Sequence, residues 1–176
     1  MPFSDTQGKD WALRAYLRIR PDYVIDVGPG AGTYAKLMRP HHKAHWTGIE
    51  AWGPYIADYQ LDTLYDVVHV ADATLVHWPR FQNRADLVIL GDVLEHMTAL
   101  DACQLLDCIK TVASNILVSI PVLHLDQGAV YGNPFETHID HWTYEAMLHQ
   151  LGPGVTDTWH GDVLAYYLWQ KPQEQE

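Results

Sequence analysis

The segment from Tyr23 to Tyr34 constrains the fold more than any other part of the chain, because it joins a strand, a glycine turn and a helix. An apolar run ends at Val27, and glycines follow at positions 28, 30 and 32. Glycine lets the backbone turn sharply and approach a ligand closely. The free amide groups at the start of the following helix suit a carboxylate or a phosphate. The segment therefore predicts a nucleotide-like ligand at the end of the first strand.

Strand-like and helical patterns alternate along the rest of the chain. Strands are predicted over 23–27, 45–50, 66–70, 86–90, 115–120, 155–160 and 163–169. The runs 87–90 and 116–120 are almost continuously apolar, which is typical of parallel strands covered by helices on both faces. Gly161 and Asp162 suit a tight hairpin between the last two strands. This alternation predicts βαβ units in an α/β fold.

Two helices have clear start signals. Ser4 with Gln7 predicts the beginning of a first helix, which Pro21 ends. Thr98 with Asp101 resembles a capping box. The apolar stripe of that second helix is predicted to hold Leu100, Cys103, Leu106 and Ile109.

Length and composition favour one domain over residues 1–176. Cys103 and Cys108 lie on different sides of one predicted helix, so no disulfide is expected between them. No stretch approaches the roughly 20 apolar residues that cross a bilayer. The start of the chain lacks a signal-peptide profile. We therefore expect a cytoplasmic domain that does not insert into membranes.

The spacing of the glycines argues against a dinucleotide. The dinucleotide fingerprint requires glycine at the first, third and sixth places, whereas Thr33 occupies the sixth place here. Asp26, just before the turn, suits a ligand with a cationic amino-acid end better than a pyrophosphate, because opposite charges attract.

An acid followed by Gly-x-Gly-x-Gly at the end of the first strand resembles the first motif of the class I methyltransferases. The run 86–97, with Leu-Glu-His near its end, is similar to the fourth motif of the small-molecule and quinone-type members. The resemblance covers the chain from its first helix to Trp169. It implies a Rossmann-like, doubly wound sheet of seven strands in the order 3-2-1-4-5-7-6, the last antiparallel. It also implies S-adenosylmethionine as cofactor and S-adenosylhomocysteine as product.

The resemblance assigns roles to individual residues. Glu50, at the end of the second strand, would bind the ribose hydroxyls, and Asp72 would meet the adenine amino group. Trp52 would cover the adenine face, although packing is an equal alternative, and Asp72 is also suited to cap a helix. The other expected cofactor residues are Asp26, Gly28, Pro29, Gly30, Gly32, Ala51, Ala73, Gly91, Asp92 and Val93.

The acceptor is expected after the fourth and fifth strands, because ligands of open α/β sheets lie beyond the carboxyl ends of the strands. That position selects Asp92, His96 and the Gly- and His-rich loop over 122–142. Its Gly-Asn-Pro-x-Glu-x-His sequence is similar to loops of uncharacterised bacterial and phage methyltransferases. His138 is the first candidate for a general base, with His96 and His141 behind it. Any one of them is also explained by hydrogen bonding in a polar loop.

The same loop contains three residues of types that can bind a metal. Glu136, His138 and His141 lack an established ligand spacing, so no metal is predicted.

The charge of the chain bears on its partners. A formal net charge of -11 opposes a nucleic-acid substrate, since affinity for nucleic acids depends mainly on cationic contacts to phosphates. We expect a small-molecule acceptor methylated on oxygen or nitrogen, with the acceptor's identity and the oligomeric state left open. The alternatives are a module that binds the cofactor without methyl transfer, or another transferase on the same fold such as an aminopropyl transferase.

Overall fold

The computed structural model describes residues 5–82, 84–124 and 126–173. Its centre is a seven-stranded sheet in the order β3-β2-β1-β4-β5-β7-β6. The first five strands run parallel, and β7 lies antiparallel to both β5 and β6. The expected order and direction are therefore confirmed. The strands are β1 Tyr23–Val27, β2 His45–Glu50, β3 Val67–Val70, β4 Leu87–Gly91, β5 Asn115–Pro121, β6 Val155–His160 and β7 Leu164–Gln170.

Three predicted strands, β3, β4 and β7, begin one residue later than expected, and for β3 and β4 the displaced aspartates explain why. Asp86 Oδ2 accepts hydrogen bonds from the amides of Asp22 and Tyr23, at 3.0 and 2.9 Å. Asp66 Oδ2 accepts one from the amide of Trp46 at 2.8 Å. Each aspartate therefore holds the start of the neighbouring strand with its side chain rather than extending its own strand.

Helices cover both faces of the sheet and alternate strand residues fill two cores. Val88 and Leu90 pack in one core with α5 and α6, whereas Leu87 and Ile89 pack in the other with the earlier helices. This arrangement explains the continuous apolar run that the sequence shows in β4. The helices are α1 Lys9–Ile19, α2 Thr33–Met38, α3 Pro54–Asp58, α4 Leu61–Leu64, α5 Ala99–Val112 and α6 Tyr144–Leu151.

The helix starts differ in how well the sequence predicted them. Thr98 Oγ1 accepts the Asp101 amide at 3.2 Å, so the predicted cap of α5 is confirmed. The predicted stripe is partly wrong, because Leu100 is 67% exposed. The stripe is centred on Ala102, Leu105, Leu106, Ile109 and Val112. The first helix begins at Lys9 after Gly8, and the Ser4 of the predicted start lies outside the described residues.

Three further expectations concern the chain as a whole. Cys103 and Cys108 are both free thiols, which confirms that they form no disulfide. None of the described helices is long and apolar enough to cross a membrane. The tight hairpin is confirmed, with the Gly161 amide donating to the Leu164 carbonyl at 2.9 Å.

Candidate functional site

A cavity of about 600 Å³ lies at the carboxyl ends of the parallel strands. This is where open α/β sheets bind their ligands. The cavity extends from the glycine turn after β1 to the segment after β4 and to the loop over 122–142. Ten of the thirteen predicted cofactor residues line it, namely Gly28, Pro29, Gly30, Glu50, Ala51, Asp72, Ala73, Gly91, Asp92 and Val93.

The glycine turn depends on its glycines. Gly28, Gly30 and Gly32 have φ angles of 61°, 52° and 75°, in the left-handed region that other residues rarely adopt. A Cβ on Gly28 would lie 2.8 Å from Val93 Cγ2, which is too close for a van der Waals contact. The turn therefore keeps its backbone exposed to the cavity, as the sequence predicts.

Glu50 lies at the end of β2 with its carboxylate held by the backbone. Its Oε2 accepts the Gly30 amide at 3.2 Å and its Oε1 accepts the Trp52 amide at 2.8 Å. Burial raises the pKa of this carboxyl, and the amides of Trp52 and Gly30 counteract part of that rise. A carboxylate has about four acceptor positions, so roughly two stay available for hydroxyl groups of a ligand.

Three predicted cofactor residues do not line the cavity. Gly32 immediately precedes α2, and a Cβ there would lie 2.6 Å from Leu64 Cδ1, so its role is in packing. The Trp52 side chain packs against the core on the α1 side of the sheet, which favours the packing alternative. Asp26 is 1% exposed, and the Tyr65 hydroxyl donates to its Oδ2 at 2.6 Å.

Asp26 does not line the cavity, and its burial changes its titration. Burial raises the pKa of its carboxyl to about 7, against the opposing effect of the hydrogen bond from Tyr65. Glu50 raises this pKa further, and Lys9 lowers it. The group therefore changes charge near neutral pH.

Asp72 caps a turn at the edge of the cavity. Its Oδ1 accepts the amide and the hydroxyl of Thr74, at 2.9 and 2.7 Å, and so caps the 3₁₀ turn Ala73–Leu75. The residue also lines the cavity.

Asp92 is supported by residues that sequence reasoning missed. Its φ of 56° is unusual for a residue other than glycine. The Ser119 hydroxyl on β5 donates to Asp92 Oδ1 at 2.6 Å, and Lys9 Nζ lies 3.9 Å from Oδ2. Lys9 also donates to the Tyr34 hydroxyl at 2.9 Å. No local sequence pattern links these residues, because they come from α1, α2 and β5.

Glu95, His96 and His138 converge at the other end of the cavity. One ligand atom of each lies within 4.8 Å of the others. The two imidazole rings meet edge to face, with centroids 4.9 Å apart. Burial raises the pKa of the Glu95 carboxyl well above its usual range and lowers that of the His96 imidazole. The sequence analysis included Glu95 only within the motif over 86–97, and its position near His138 follows from the fold.

The loop over 122–142 is tied to the segment that carries Glu95. The Ile139 amide donates to the Glu95 carbonyl at 2.8 Å, and Trp142 Nε1 donates to the Leu94 carbonyl at 3.3 Å. Inside the loop, Asn133 Oδ1 accepts the Phe135 amide at 2.9 Å. The Asn-Pro-Phe triplet is therefore a structural turn in this protein.

His141 does not join the other two histidines. It is exposed, does not line the cavity, and packs against the His124 ring with centroids 4.9 Å apart. Glu136, His138 and His141, for which the sequence predicted no metal, do not form a group of metal ligands in the described part of the chain.

The cavity is acidic. None of its described lining residues is Lys or Arg. The acidic residues that line it are Asp5, Glu50, Asp72, Asp92, Glu95, Asp101 and Glu136. Such a surface attracts cations and repels phosphates.

Comparisons with known proteins agree with this fold. A family model described as a methyltransferase domain matches residues 8–154. No curated protein gives a significant sequence match. The fold is similar to magnesium protoporphyrin IX methyltransferase from Synechocystis PCC 6803, crystallised with bound SAH, with TM-score 0.71, 14% identity, and 94% and 83% of the two chains covered. It is also similar to a 1,6-didemethyltoxoflavin-N1-methyltransferase from Burkholderia thailandensis, with TM-score 0.70, 16% identity, and 95% and 78% covered.

Proposed function

The chain belongs to the methyltransferase-domain family, and we propose that it transfers a methyl group from S-adenosylmethionine to a small-molecule acceptor. S-adenosylhomocysteine is then the second product. The same cofactor chemistry is present in similar folds, since the Synechocystis enzyme was crystallised with SAM as well as with SAH.

The observation that carries the proposal is the chemistry of the cavity around Glu50. Its buried carboxylate retains acceptor positions for a ribose diol, next to a turn whose backbone is open to a ligand. The acidic lining favours a sulfonium cation over a pyrophosphate. These features together suit S-adenosylmethionine better than NAD or NADP.

The end of the cavity that contains Glu95, His96 and His138, which we call the acceptor end, favours a small molecule with an apolar part. Phe135 and Ile139 line the cavity while they stay 44% and 58% exposed, so they offer apolar surface at its mouth. Exposed apolar groups beside a cavity often mark a ligand-binding surface. A polyphosphate chain would meet the acidic residues of the same cavity, which disfavours a nucleic acid here as well.

Methyl transfer needs positioning above all. A lone pair of the acceptor oxygen or nitrogen attacks the methyl carbon, the bond between that carbon and sulfur breaks, and its electron pair stays on sulfur. The acceptor loses its proton, and His96 and His138 are the imidazoles that line the cavity. We assign acceptor activation to this pair, with His138 the first choice.

Calorimetry followed by a turnover assay tests the proposal. S-adenosylmethionine should bind one site per chain, and incubation with hydroxyl- and amine-bearing small molecules should release S-adenosylhomocysteine. Absence of binding would contradict the proposed cofactor. Binding without turnover on any acceptor would favour a cofactor-binding module instead.

A variant pair tests the role of His138 once an acceptor is known. His138→Ala should lower turnover and leave cofactor affinity nearly unchanged, because the residue acts on the acceptor. His149→Ala, an exposed histidine on α6, serves as the matched control. Wild-type turnover in His138→Ala would remove that residue from the reaction.

A further inference from the structure

We propose that Glu95, His96 and His138 form a binding site for one divalent transition-metal cation of the zinc type at the acceptor end of the cavity. Two imidazoles and one carboxylate are an established ligand set for such ions, with coordination positions left open for water or substrate. One ligand atom of each residue lies within 4.8 Å of the others. The three residues line the cavity, so the open positions would face it.

The orientation of His96 suits a ligand. Its Nδ1 lies 3.1 Å from the carbonyl oxygen of Thr137. A carbonyl oxygen only accepts, so Nδ1 carries the hydrogen and Nε2 keeps its lone pair in the neutral ring. Metal-binding histidines usually donate their second nitrogen to a carbonyl or carboxylate in this way.

One carboxylate oxygen of Glu95 has no hydrogen-bond partner in the described part of the chain. The residue is 2% exposed, and its Oε2 accepts no hydrogen bond from any described group. A buried polar atom without a partner is costly, and a metal ion is one of the groups that remove the cost. Asp92 and Glu136 lie close enough to act electrostatically on Glu95, and their negative charge also favours a cation at this position.

The site would need only a small adjustment to close. Two ligand atoms of one zinc ion are separated by roughly 3–3.5 Å, given bonds of about 2.0–2.2 Å. Rotation of the three side chains would bring their ligand atoms from within 4.8 Å of one another to this separation. The two segments that carry the ligands are already hydrogen-bonded to each other, because the Ile139 amide donates to the Glu95 carbonyl at 2.8 Å.

The role of the cation in the reaction rests on the proposed function. An acceptor hydroxyl bound at an open position has a lowered pKa, as bound water does. It releases its proton to solvent, and the oxygen then attacks the methyl carbon while sulfur keeps the electron pair of the broken bond. The site therefore favours an oxygen acceptor. His96 and His138 would then activate the acceptor by holding the ion, which replaces direct proton removal by an imidazole.

Cobalt and zinc titrations of the metal-free chain, without a polyhistidine tag, test the site. Zn²⁺ should bind one equivalent by calorimetry, and Co²⁺ should give visible absorption bands that Zn²⁺ abolishes. Glu95→Gln and His138→Ala should each weaken Zn²⁺ binding more than about tenfold, since even changes next to ligands cost 10–100-fold. Glu145→Gln and His149→Ala, both exposed on α6, should leave it unchanged.

Two results would overturn the site. One is the absence of a stoichiometric ion in the wild-type chain. The other is binding that Glu95→Gln and His138→Ala leave unaltered, which would place the ion on surface histidines. Because Glu95 is buried, each variant's thermal midpoint is compared with and without Zn²⁺, and a folded His138→Ala chain suffices if Glu95→Gln does not fold.

The test separates this inference from the proposed function. S-adenosylmethionine binding is measured in the same calorimeter with a chelator present. Cofactor binding without metal binding would overturn only the metal site, whereas metal binding without cofactor binding would contradict only the proposed cofactor.

Discussion

The two ends of the cavity each contain a buried glutamate, and the two carboxyls differ in how they are completed. Glu50 is 4% exposed and Glu95 is 2% exposed. Both oxygens of Glu50 accept backbone amides, whereas Oε2 of Glu95 accepts nothing from the described residues. Equal burial therefore produces one carboxylate that is preorganised for neutral hydroxyl donors and one that needs a proton or a cation.

The difference follows from how each end is built. The partners of Glu50 are in the first glycine turn and immediately after its own strand, so short connections place them. Glu95 meets His138 only because a long loop returns to the end of β4. The end around Glu50, which we call the cofactor end, is thus assembled by neighbouring parallel strands. The acceptor end is assembled by a segment that is distant in the sequence.

The largest expected effect is at the cofactor end. Gly28→Val places a side chain on a residue with φ 61° and 2.8 Å from Val93 Cγ2. Backbone strain and overpacking together should cost about 2–5 kcal/mol in folding free energy, which the turn can relieve only by moving, and a displaced turn should lower S-adenosylmethionine affinity by about 100-fold or more. Calorimetry measures the loss, with thermal unfolding to verify the fold. Gly128→Val is the control, since a Cβ there meets nothing within 4 Å.

The buried Asp26 should make the free energy of unfolding depend on pH. Burial raises the pKa of this carboxyl from 3.8 to about 7, so the folded chain binds the proton more tightly than the unfolded chain. Its contribution to stability is therefore largest at low pH and is lost as pH rises through about 7. The loss between about pH 5 and pH 8 should be roughly 2–3 kcal/mol.

Urea unfolding of Asp26→Asn at both pH values measures this contribution. The variant should remove that part of the pH dependence, because an amide cannot titrate and still accepts the hydrogen bond of Tyr65. Asp62→Asn, an exposed acid on α4, should behave like the wild type. If the free energy of unfolding of Asp26→Asn changes with pH as much as that of the wild type, Asp26 is not the source of the pH dependence.

Glu50→Ala tests whether the two ends are independent. Cofactor affinity should fall by about 1.5–3 kcal/mol, the range for hydrogen bonds to a charged group, which is roughly 10–150-fold. Zn²⁺ affinity at the acceptor end should not change. Glu145→Ala provides the exposed control, and a parallel loss of cofactor and metal affinity would break the distinction between the ends.

The smallest expected effect is no effect at all. NAD and NADP should not bind, because Thr33 replaces the glycine of the sixth place and the acidic cavity repels a pyrophosphate. Titration by calorimetry provides the measurement. Micromolar binding of either dinucleotide would contradict the interpretation of the glycine turn.

The sequence predicted much of the fold and the cofactor end from local patterns. β1, β2 and β6 have the predicted bounds, and Glu50 has the expected place at the end of β2. The methyltransferase resemblance supplied the strand order. That one domain covers residues 1–176, that it is cytoplasmic, and that the predicted residues bind the cofactor all stay predictions.

The sequence by itself determined the glycine turn, the strands and the position of Glu50, because each depends on residues close together in the chain or on a regular period. Only the tertiary structure brought Lys9 to Asp92 and His138 to Glu95, and placed His141 beside His124 instead. These pairs of residues lie 17 to 83 positions apart in the sequence, and the path of the intervening backbone decides which of them meet. Periodicity and motif spacing predict the strands, helices and turns at the two ends of such a path. Packing along its whole length decides which side chains come into contact.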